Sequence, residues 1–461
     1  MADKYDVIVI GSGPGGYVAA LRAAQLGQKV AVVEKDDRPG GRCLNYACIP
    51  AKTLLHTAQV YDEARNGAAE LGIKVDGVSL DWPGIHKRRE KVRKTLTGGV
   101  AMLFDKAKIS YIEGTGALTA ERNVKVGRKT YEAKGVLLAT GSVALPIPGV
   151  EFGGRVIDTW GAWSLSEQPA KLAVVGAGAS GAEIASAYAR FGTEVILIEM
   201  LDQVLPAEDN DVSKQVEREF KKQGIDVVLG TKVEKVDAGK DGVKVSYGGN
   251  DASVDYLCIA GGRAPDIEAL NLDDAGVKLG DGGKIEVDEY LKTSADGVYA
   301  IGDLVRGAAL AHKAMEEGVI AVETIAGHPT HPLDHDGIPA ATFCQPQVAS
   351  FGLTEAQAKA NAKESGKEIK IGKFKLGAVG AGAVYDDRQG FVKIIADAQY
   401  GEIIGAHIVG NSACDMIAEL VDTRALEGGY QELARIVHAH PTISEAVLDA
   451  ARAVDGWAIH Q

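Results

Sequence analysis

Cysteine is scarce in this chain: five among 461 residues, too few and odd in number for a disulfide scaffold. Long apolar stretches are missing too, since no run approaches the ~18 uninterrupted apolar residues of a membrane-spanning helix. The chain opens without a charged stretch leading into an apolar core of the secretory kind. A soluble, cytoplasmic protein with no membrane partner is expected. Positive charge is the minority: 50 Lys and Arg against 63 Asp and Glu leave a net −13. That argues against a broad nucleic-acid footprint, and no nucleic-acid partner is expected. With 46% hydrophobic and 25% charged residues the chain can bury sizeable cores, which excludes disorder, collagen and a coiled-coil rod. The length suits about three domains at ~150 residues each.

Glycine is what the chain has in excess. Its 57 glycines are about 12% of the residues, against a usual ~7%. They follow no collagen period, and many cluster at strand-to-helix turns, as in a phosphate-binding α/β protein. Residues 5–10 form an apolar run of strand type. Gly11-Ser12-Gly13-Pro14-Gly15-Gly16 follows, then an Ala-rich helical stretch over 17–25 and a second strand over 29–33 ending at Glu34. Gly11, Gly13 and Gly16 permit a tight turn and close backbone approach. The helix N-terminus then faces a pyrophosphate, and the Glu34 carboxylate accepts from a ribose hydroxyl.

The device occurs twice. A strand over 172–175 leads into Gly176, Gly178 and Gly181, a helix to 190, and a strand over 194–198 closed by Glu199. In both copies the acid lies 23 positions after the first glycine. Two dinucleotide sites call for two ligands, and a flavin and a nicotinamide are the obvious pair. No Arg follows Glu199 until Arg218, so a 2′-phosphate would be repelled there and NAD is favoured over NADP.

The remainder reads coarsely. Residues 137–142 form a strand running into a turn, Pro146 and Pro148 mark a boundary, and 225–262 alternate as strands between Gly-rich turns. Residues 298–303 form a strand ending in Asp303, with a helix from about Ala308. After a polar linker over 331–337, strands are expected at 342–352, 370–375, 390–396 and 403–409. Helices are expected at 354–361, 412–427, 431–437 and 444–453.

Cys43 and Cys48 stand close after Glu34, and in a chain so poor in cysteine the pair suggests redox or metal chemistry. Zinc is disfavoured because no second Cys or His pair lies at ligand spacing nearby, and no metal is expected. Lys52, on a helix beginning near Pro50, would set a cation beside the thiolate and lower the thiol pKa. Near the other end His440 precedes Pro441, and Glu445 in the helix beyond can return toward its ring. A histidine oriented by a carboxylate is the layout of a general acid/base. Cys258, Cys344 and Cys414 read as packing residues, His331 and His335 as part of the solvated linker. The basic run from His86 to Lys94 reads as an exposed helix face, with a docking surface for an acidic carrier as the minority view.

Taken together, the motifs resemble the flavoprotein disulfide reductases, and within them the dihydrolipoamide dehydrogenases most closely. The resemblance covers nearly the whole chain in order: GSGPGG, CLNYACIPAK, ATG at 139–141, GAGASGAE at 176–183, GGRAPD at 261–266, YAIGD at 299–303, LAHKAMEEG at 310–318 and HAHPTISEA at 438–446. It implies an α/β fold with two Rossmann-like dinucleotide-binding domains and an α+β C-terminal dimerisation domain. FAD would be held by 1–145 with 270–335, NAD by 146–269, and 336–461 would form the interface. It implies that Cys43 attacks the lipoyl disulfide, that Cys48 faces the flavin, and that Lys52 lies by the isoalloxazine and pairs with Glu183. His440, held by Glu445, would be the base and would reach the cysteine site of the other subunit of a homodimer. Asp303 would bind the ribitol chain, with Gly116, Thr140, Gly141, Ser142 and Ala311 also on the FAD side and Val233 and Gly262 on the NAD side. The implied reaction oxidises dihydrolipoyl groups on lipoyl domains or lipoylated carrier proteins and reduces NAD⁺ through the Cys43–Cys48 disulfide.

The chain departs from the family pattern at Arg42, Tyr46, Ala47 and Ala51 around the cysteines, at 342–347, and at Cys414-Asp415. None of these removes a catalytic group, but those around the cysteines leave the identity of the carrier open. The alternatives are a related reductase of another disulfide substrate, or an enzyme dedicated to an unusual lipoyl-carrier pathway. A glutathione reductase-like activity would want cations where Glu199 stands. A mercuric reductase would want a C-terminal cysteine pair, yet the last cysteine is Cys414. A catalytically silent structural flavoprotein would not need Cys43, Cys48, Lys52 and His440 intact.

Overall fold

The β-branched runs around Val7–Val9 and Val30–Val33 are wholly buried, which is what a parallel strand covered on both faces requires. The computed structural model describes residues 4–460, which form two compact units. The first comprises Met1–Leu54, Asp81–Leu145 and Gly262–Leu333. In its sheet, Lys4–Ile10 lies between Val30–Glu34 and Lys129–Leu138, parallel to both, with Val9 opposite Val32 and Leu137. Ser110–Glu113 flanks Val30–Glu34, and Val298–Ala300 pairs parallel with Lys129–Leu138. Gly116–Leu118 and Val124–Val126 extend the sheet antiparallel. Helix Pro14–Gln25 starts with proline, whose missing N–H costs nothing there, and turns Ala19, Ala20 and Ala23 inward. Helix Trp82–Ala107, capped by the Asp81 side chain, buries Val100 and Phe104 in the same core.

The second unit comprises Leu55–Leu80, Pro146–Gly261 and Asp334–Gln461. It repeats the parallel arrangement: Asp226–Val228, Glu194–Ile198, Lys171–Val175, Tyr256–Ile259 and Val156–Ile157 lie side by side in that order. Val233–Ala238, Val243–Tyr247 and Asn250–Val254 form a separate antiparallel sheet. A five-stranded antiparallel sheet follows, in the order Ala340–Thr342, Val348–Gly352, Ile403–Val409, Phe391–Asp397, Ile369–Lys375. Helices Ala413–Ala425 and Glu445–Ala453 bring Met416, Leu420, Val447 and Ala450 onto Ile394, Ile408 and Phe374.

One expected strand is broken. Residues 342–352 form two strands, with Thr342 opposite Val348 and the stretch between them outside the ladder. Pro346 has no N–H to contribute. The N–H groups of Phe343 and Gln345 donate instead to Glu183 Oε1 (2.9 Å) and Ser186 Oγ (3.0 Å), side chains of helix Ala179–Phe191. Other limits move by a turn or less. The helix expected from Ala308 starts at Ala311, that over 354–361 runs to Ser365, and that over 431–437 is only Tyr430–Leu433. Asp303 follows its strand within a short 3₁₀ turn. No helix among the described residues is long and apolar enough to cross a membrane.

Candidate active site

The two glycine turns are the same object built twice. Gly11 has φ +103° and Gly176 φ +100°, and a Cβ on either would fall 2.4 Å from Ala139 O or 2.7 Å from Ala260 O. Gly16 and Gly181 pass so near the carbonyls of Gly11 and Gly176 that a Cβ would sit 1.9 and 1.8 Å from them. By contrast, Gly13 and Gly178 face open space, where a Cβ would meet nothing within 4 Å. Each is the N-cap of its helix, without a side-chain cap and without an acid in the first turn. The helix N–H groups are therefore left to a ligand anion.

The two acids are held alike. Glu34 accepts from Ser12 N (2.8 Å), Ser12 Oγ (2.6 Å) and Asp36 N (3.0 Å). Glu199 accepts from Ala177 N (2.7 Å) and Leu201 N (2.9 Å). Both cradles thus fit the diphosphate and ribose of a dinucleotide, Glu34 and Glu199 being fixed before any ligand arrives.

The other residues expected on the FAD side lie within the first unit. Ser142 Oγ bonds to Asp303, and Arg263 Nε donates to Ser142 Oγ at 2.8 Å and stands 3.9 Å from the Asp303 carboxylate. Thr140 Oγ1 donates to Asp266 O (2.7 Å), and Gly141 O accepts from Asp266 N (2.9 Å). Gly302, just before Asp303, is clamped from both sides: Lys313 Nζ donates to its carbonyl (3.0 Å) and Glu317 accepts from its N–H (2.7 Å). Lys313 and Glu317 form a fully buried ion pair at 2.8 Å. Sequence reasoning gave no role to Arg263, Lys313 or Glu317, although all three stand in the GGRAPD and LAHKAMEEG boxes. Ala311 opens its helix, which has no side-chain cap. Gly116 is buried against Ile10 and Val33, Gly262 begins the last segment of the first unit, and Val233 opens a strand of the second.

Cys43 lies in the short helix Gly41–Asn45 and Cys48 opens the helix Cys48–Asp62. Their thiols share a hydrogen bond. That bond, burial and the Cys48 charge push the Cys43 thiol up, while Lys52 pulls it down. In the dithiol form Cys48 and burial outweigh the Lys52 cation. Asn45 ties the segment together, donating to Gly41 O (3.0 Å) and accepting from Arg93 Nη1 (3.3 Å). Tyr46, one of the departures, is pushed up to about 12 by burial, then by the Asp36 charge and a hydrogen bond to that carboxylate. Cys258 and Cys344 are buried, and burial raises both thiols, which suits packing residues.

In the second unit Glu445, at the start of its helix, places Oε1 2.9 Å from His440 Nδ1 and takes the Thr442 N–H on Oε2 at 2.9 Å. Burial acts to raise the Glu445 carboxyl, but the Thr442 N–H and His440 together hold it below its ordinary value. A carboxylate at Nδ1 keeps the ring proton there and leaves Nε2 as the basic atom. The His440 side chain is 73% exposed, so that atom is open to an approaching group. A second such pair went unnoticed in the sequence: His438 Nε2 lies 2.6 Å from Glu419 Oε1, with His438 nearly buried. Glu183 is buried and spends Oε1 on Phe343 N. Among the described residues no group of three His, Cys, Asp or Glu side chains gathers as metal ligands.

Two dinucleotide cradles, with a cysteine pair in contact beside the first, define a thiol–disulfide oxidoreductase that works with nucleotide cofactors. The chain belongs to the pyridine nucleotide-disulphide oxidoreductases: residues 5–318 match that family, and residues 338–451 match its dimerisation domain, which supports a homodimer. It is 41% identical over 478 residues to the dihydrolipoyl dehydrogenase of Corynebacterium glutamicum, covering 100% of both chains. It is 40% identical to the mitochondrial dihydrolipoyl dehydrogenase of Pisum sativum, covering 100% of this chain and 93% of the other. Among solved structures it is similar to LpdA from Mycobacterium tuberculosis, with TM-score 0.90, 26% identity, and coverage of 98% of this chain and 99% of that one.

Proposed function

We propose that this chain is a dihydrolipoyl dehydrogenase that oxidises dihydrolipoyl groups on carrier proteins and reduces NAD⁺. The observation that carries the reading is the Cys43–Cys48 thiol contact, with Lys52 acting on Cys43 and the Gly11–Gly16 cradle in the same unit. FAD and NAD are the cofactors, and when bound they accept the electron pair that leaves the dithiol. Gly11, Gly13, Gly16, Glu34 and Asp303 would hold the flavin nucleotide; Gly176, Gly178, Gly181 and Glu199 would hold NAD. In domain terms, 1–145 with 270–335 serves FAD, 146–269 serves NAD, and 336–461 serves the subunit interface.

The thiol chemistry balances on this chain's own residues. With Cys43 and Cys48 oxidised to a disulfide, a substrate thiolate attacks Cys43 Sγ, and the Cys43–Cys48 bond breaks to leave Cys48 as thiolate. The second substrate thiol then attacks the substrate sulfur bonded to Cys43, which releases the lipoyl ring and the Cys43 thiolate. His440 Nε2, oriented by Glu445 through Nδ1, takes the proton from the first thiol, releases it to solvent and then takes the proton from the second. In the homodimer the base serves the cysteine pair of the other subunit, and the enzyme works in the cytoplasm. The test is a dihydrolipoamide:NAD⁺ assay on the purified, FAD-loaded protein. Turnover should be robust in the wild type and lost in Cys43→Ser and in Cys48→Ser. A wild type without turnover, or a Ser variant that keeps it, overturns the reading.

A further inference from the structure

Helix Trp82–Ala107 carries a charge pattern unlike that of the other long exposed helices. In Asn210–Lys222 and Glu355–Ser365 three of the five lysines pair with carboxylates along the helix: Lys221 with Glu217, Lys222 with Glu219, Lys359 with Glu355. Between Trp82 and Phe104 there is one carboxylate, Glu90, against Lys87, Arg88, Arg89, Lys91, Arg93 and Lys94. Lys94 stands 3.9 Å from Glu90, which is partly buried. Arg93 takes it at 2.7 Å and Arg38 at 3.2 Å, and together they hold its carboxyl down at about 2. Lys87, Arg88, Lys91 and Lys94 are left on the exposed side. Helical spacing carries this face on past Thr95 and Gly98 to Met102, which is 72% exposed. A cationic stretch running into an exposed apolar one, on a chain of net −13, is a local surface of opposite sign to the molecule.

Its position gives it a use. The inner side of the same helix is bonded to the cysteine segment: Arg93 donates to Asn45, two residues after Cys43, and Arg38, shortly before the Gly40–Gly41 turn, reaches Glu90. A partner seated on this helix is therefore registered to Cys43 through rigid helical contacts.

We propose that the outer face of helix Trp82–Ala107 is the docking surface for an acidic thiol-carrier domain, whose dithiol arm then reaches Cys43. The proposal rests on the reading of the protein as a dihydrolipoyl dehydrogenase and names the charge character of its partner. Lys87, Arg88 and Lys91 steer the carrier in, and Met102 offers the apolar contact that outlasts salt screening.

The test compares two substrates on the FAD-loaded homodimer: free dihydrolipoamide, which needs no docking, and a purified lipoylated carrier domain of net negative charge. The variant is the triple Lys87→Glu, Arg88→Glu, Lys91→Glu; the milder Lys87→Gln, Arg88→Gln, Lys91→Gln guards against a folding defect, with Tm read for both. At low salt, kcat/KM for the carrier should fall about tenfold or more in the Glu variant, and by less in the Gln variant. The wild-type preference should shrink at about 0.15 M salt, where exposed charges are screened. Free dihydrolipoamide should be turned over as before. Equal loss on both substrates, or no loss on either, overturns the docking proposal. So does a change of oligomeric state in the variants, which would assign the face to a contact between copies of this chain. Failure of the wild type to oxidise free dihydrolipoamide would instead defeat the underlying reading.

Discussion

Glu199 is the side chain on which the proposed preference for NAD rests. A carboxylate offers about four lone-pair positions, and the N–H groups of Ala177 and Leu201 occupy one on each oxygen. About two positions remain to accept from ribose hydroxyls, and a 2′-phosphate placed there would meet a fixed negative charge. NAD⁺ should therefore exceed NADP⁺ in kcat/KM by about a hundredfold or more, equivalent to ~2.7 kcal/mol. Glu199→Ala should narrow that ratio by about tenfold while also weakening NAD⁺, since the loop at Ala177 and Leu201 loses its anchor. Steady-state rates with both cofactors decide it, and a wild-type preference for NADP⁺ would sink the assignment. The acid was legible from spacing alone. Its anchoring was not, because the donors belong to backbone whose direction only folding sets.

Among the elements, the charge cluster inside the second unit is the one most exposed to test. Lys393, in the interior strand Phe391–Asp397, is 2% exposed and lies 2.8 Å from Asp209, 3.1 Å from Asp211 and 2.5 Å from Glu355. Burial works against the charge on Asp209 and on Asp211, yet a bond from Lys393 holds Asp209 below its ordinary value, and bonds from Lys373 first and Lys393 second hold Asp211 at about 2. Burial likewise works against Lys393, and its three carboxylates still raise it. Lys393→Met would leave Asp209 buried without its cation and should cost about 3–5 kcal/mol in urea unfolding at neutral pH. The sign with pH follows from the depressed carboxylates. Their contribution is fully present above ~4, the unfolded carboxylate range, and is lost as pH falls toward about 2. The wild type should lose stability through that window more steeply than the variant. Parallel acid limbs in the two proteins would count against the account. A similar long-range effect explains the broken strand at 342–352: alternation in sequence cannot foresee that Glu183 and Ser186 claim the N–H groups of Phe343 and Gln345.

On the scale of the whole molecule, the base and the cysteine pair sit in different units of one chain, His440 and Glu445 in the second and Cys43 and Cys48 in the first. If each site is completed by the other subunit, two dead variants can rescue one another. In a heterodimer of Cys43→Ser with His440→Gln, one site has both defects and the other has neither. Statistical mixing of the two variants after co-unfolding and refolding should restore about a quarter of wild-type activity. A base acting within its own chain restores none, so the measurement separates the two arrangements outright. Net charge belongs to this scale as well. At −13 per chain the dimer repels acidic partners except where a basic face points outward.

What the sequence determined by itself was local. The two glycine turns with their acids, the cysteine pair with Lys52, and the His440–Glu445 pairing each lie within a few dozen residues, where spacing and strand or helix geometry already fix which groups can meet. The tertiary structure alone decided the partners drawn from afar. Arg263 reaches Ser142 across 121 residues of chain, Ser142 meets Asp303 across 161, and Lys393 finds Asp209 across 184. Spacing carries no information at such separations. Which buried charge meets which is settled when apolar strands pack on both faces, because a charge left there without a partner would unfold the sheet that encloses it.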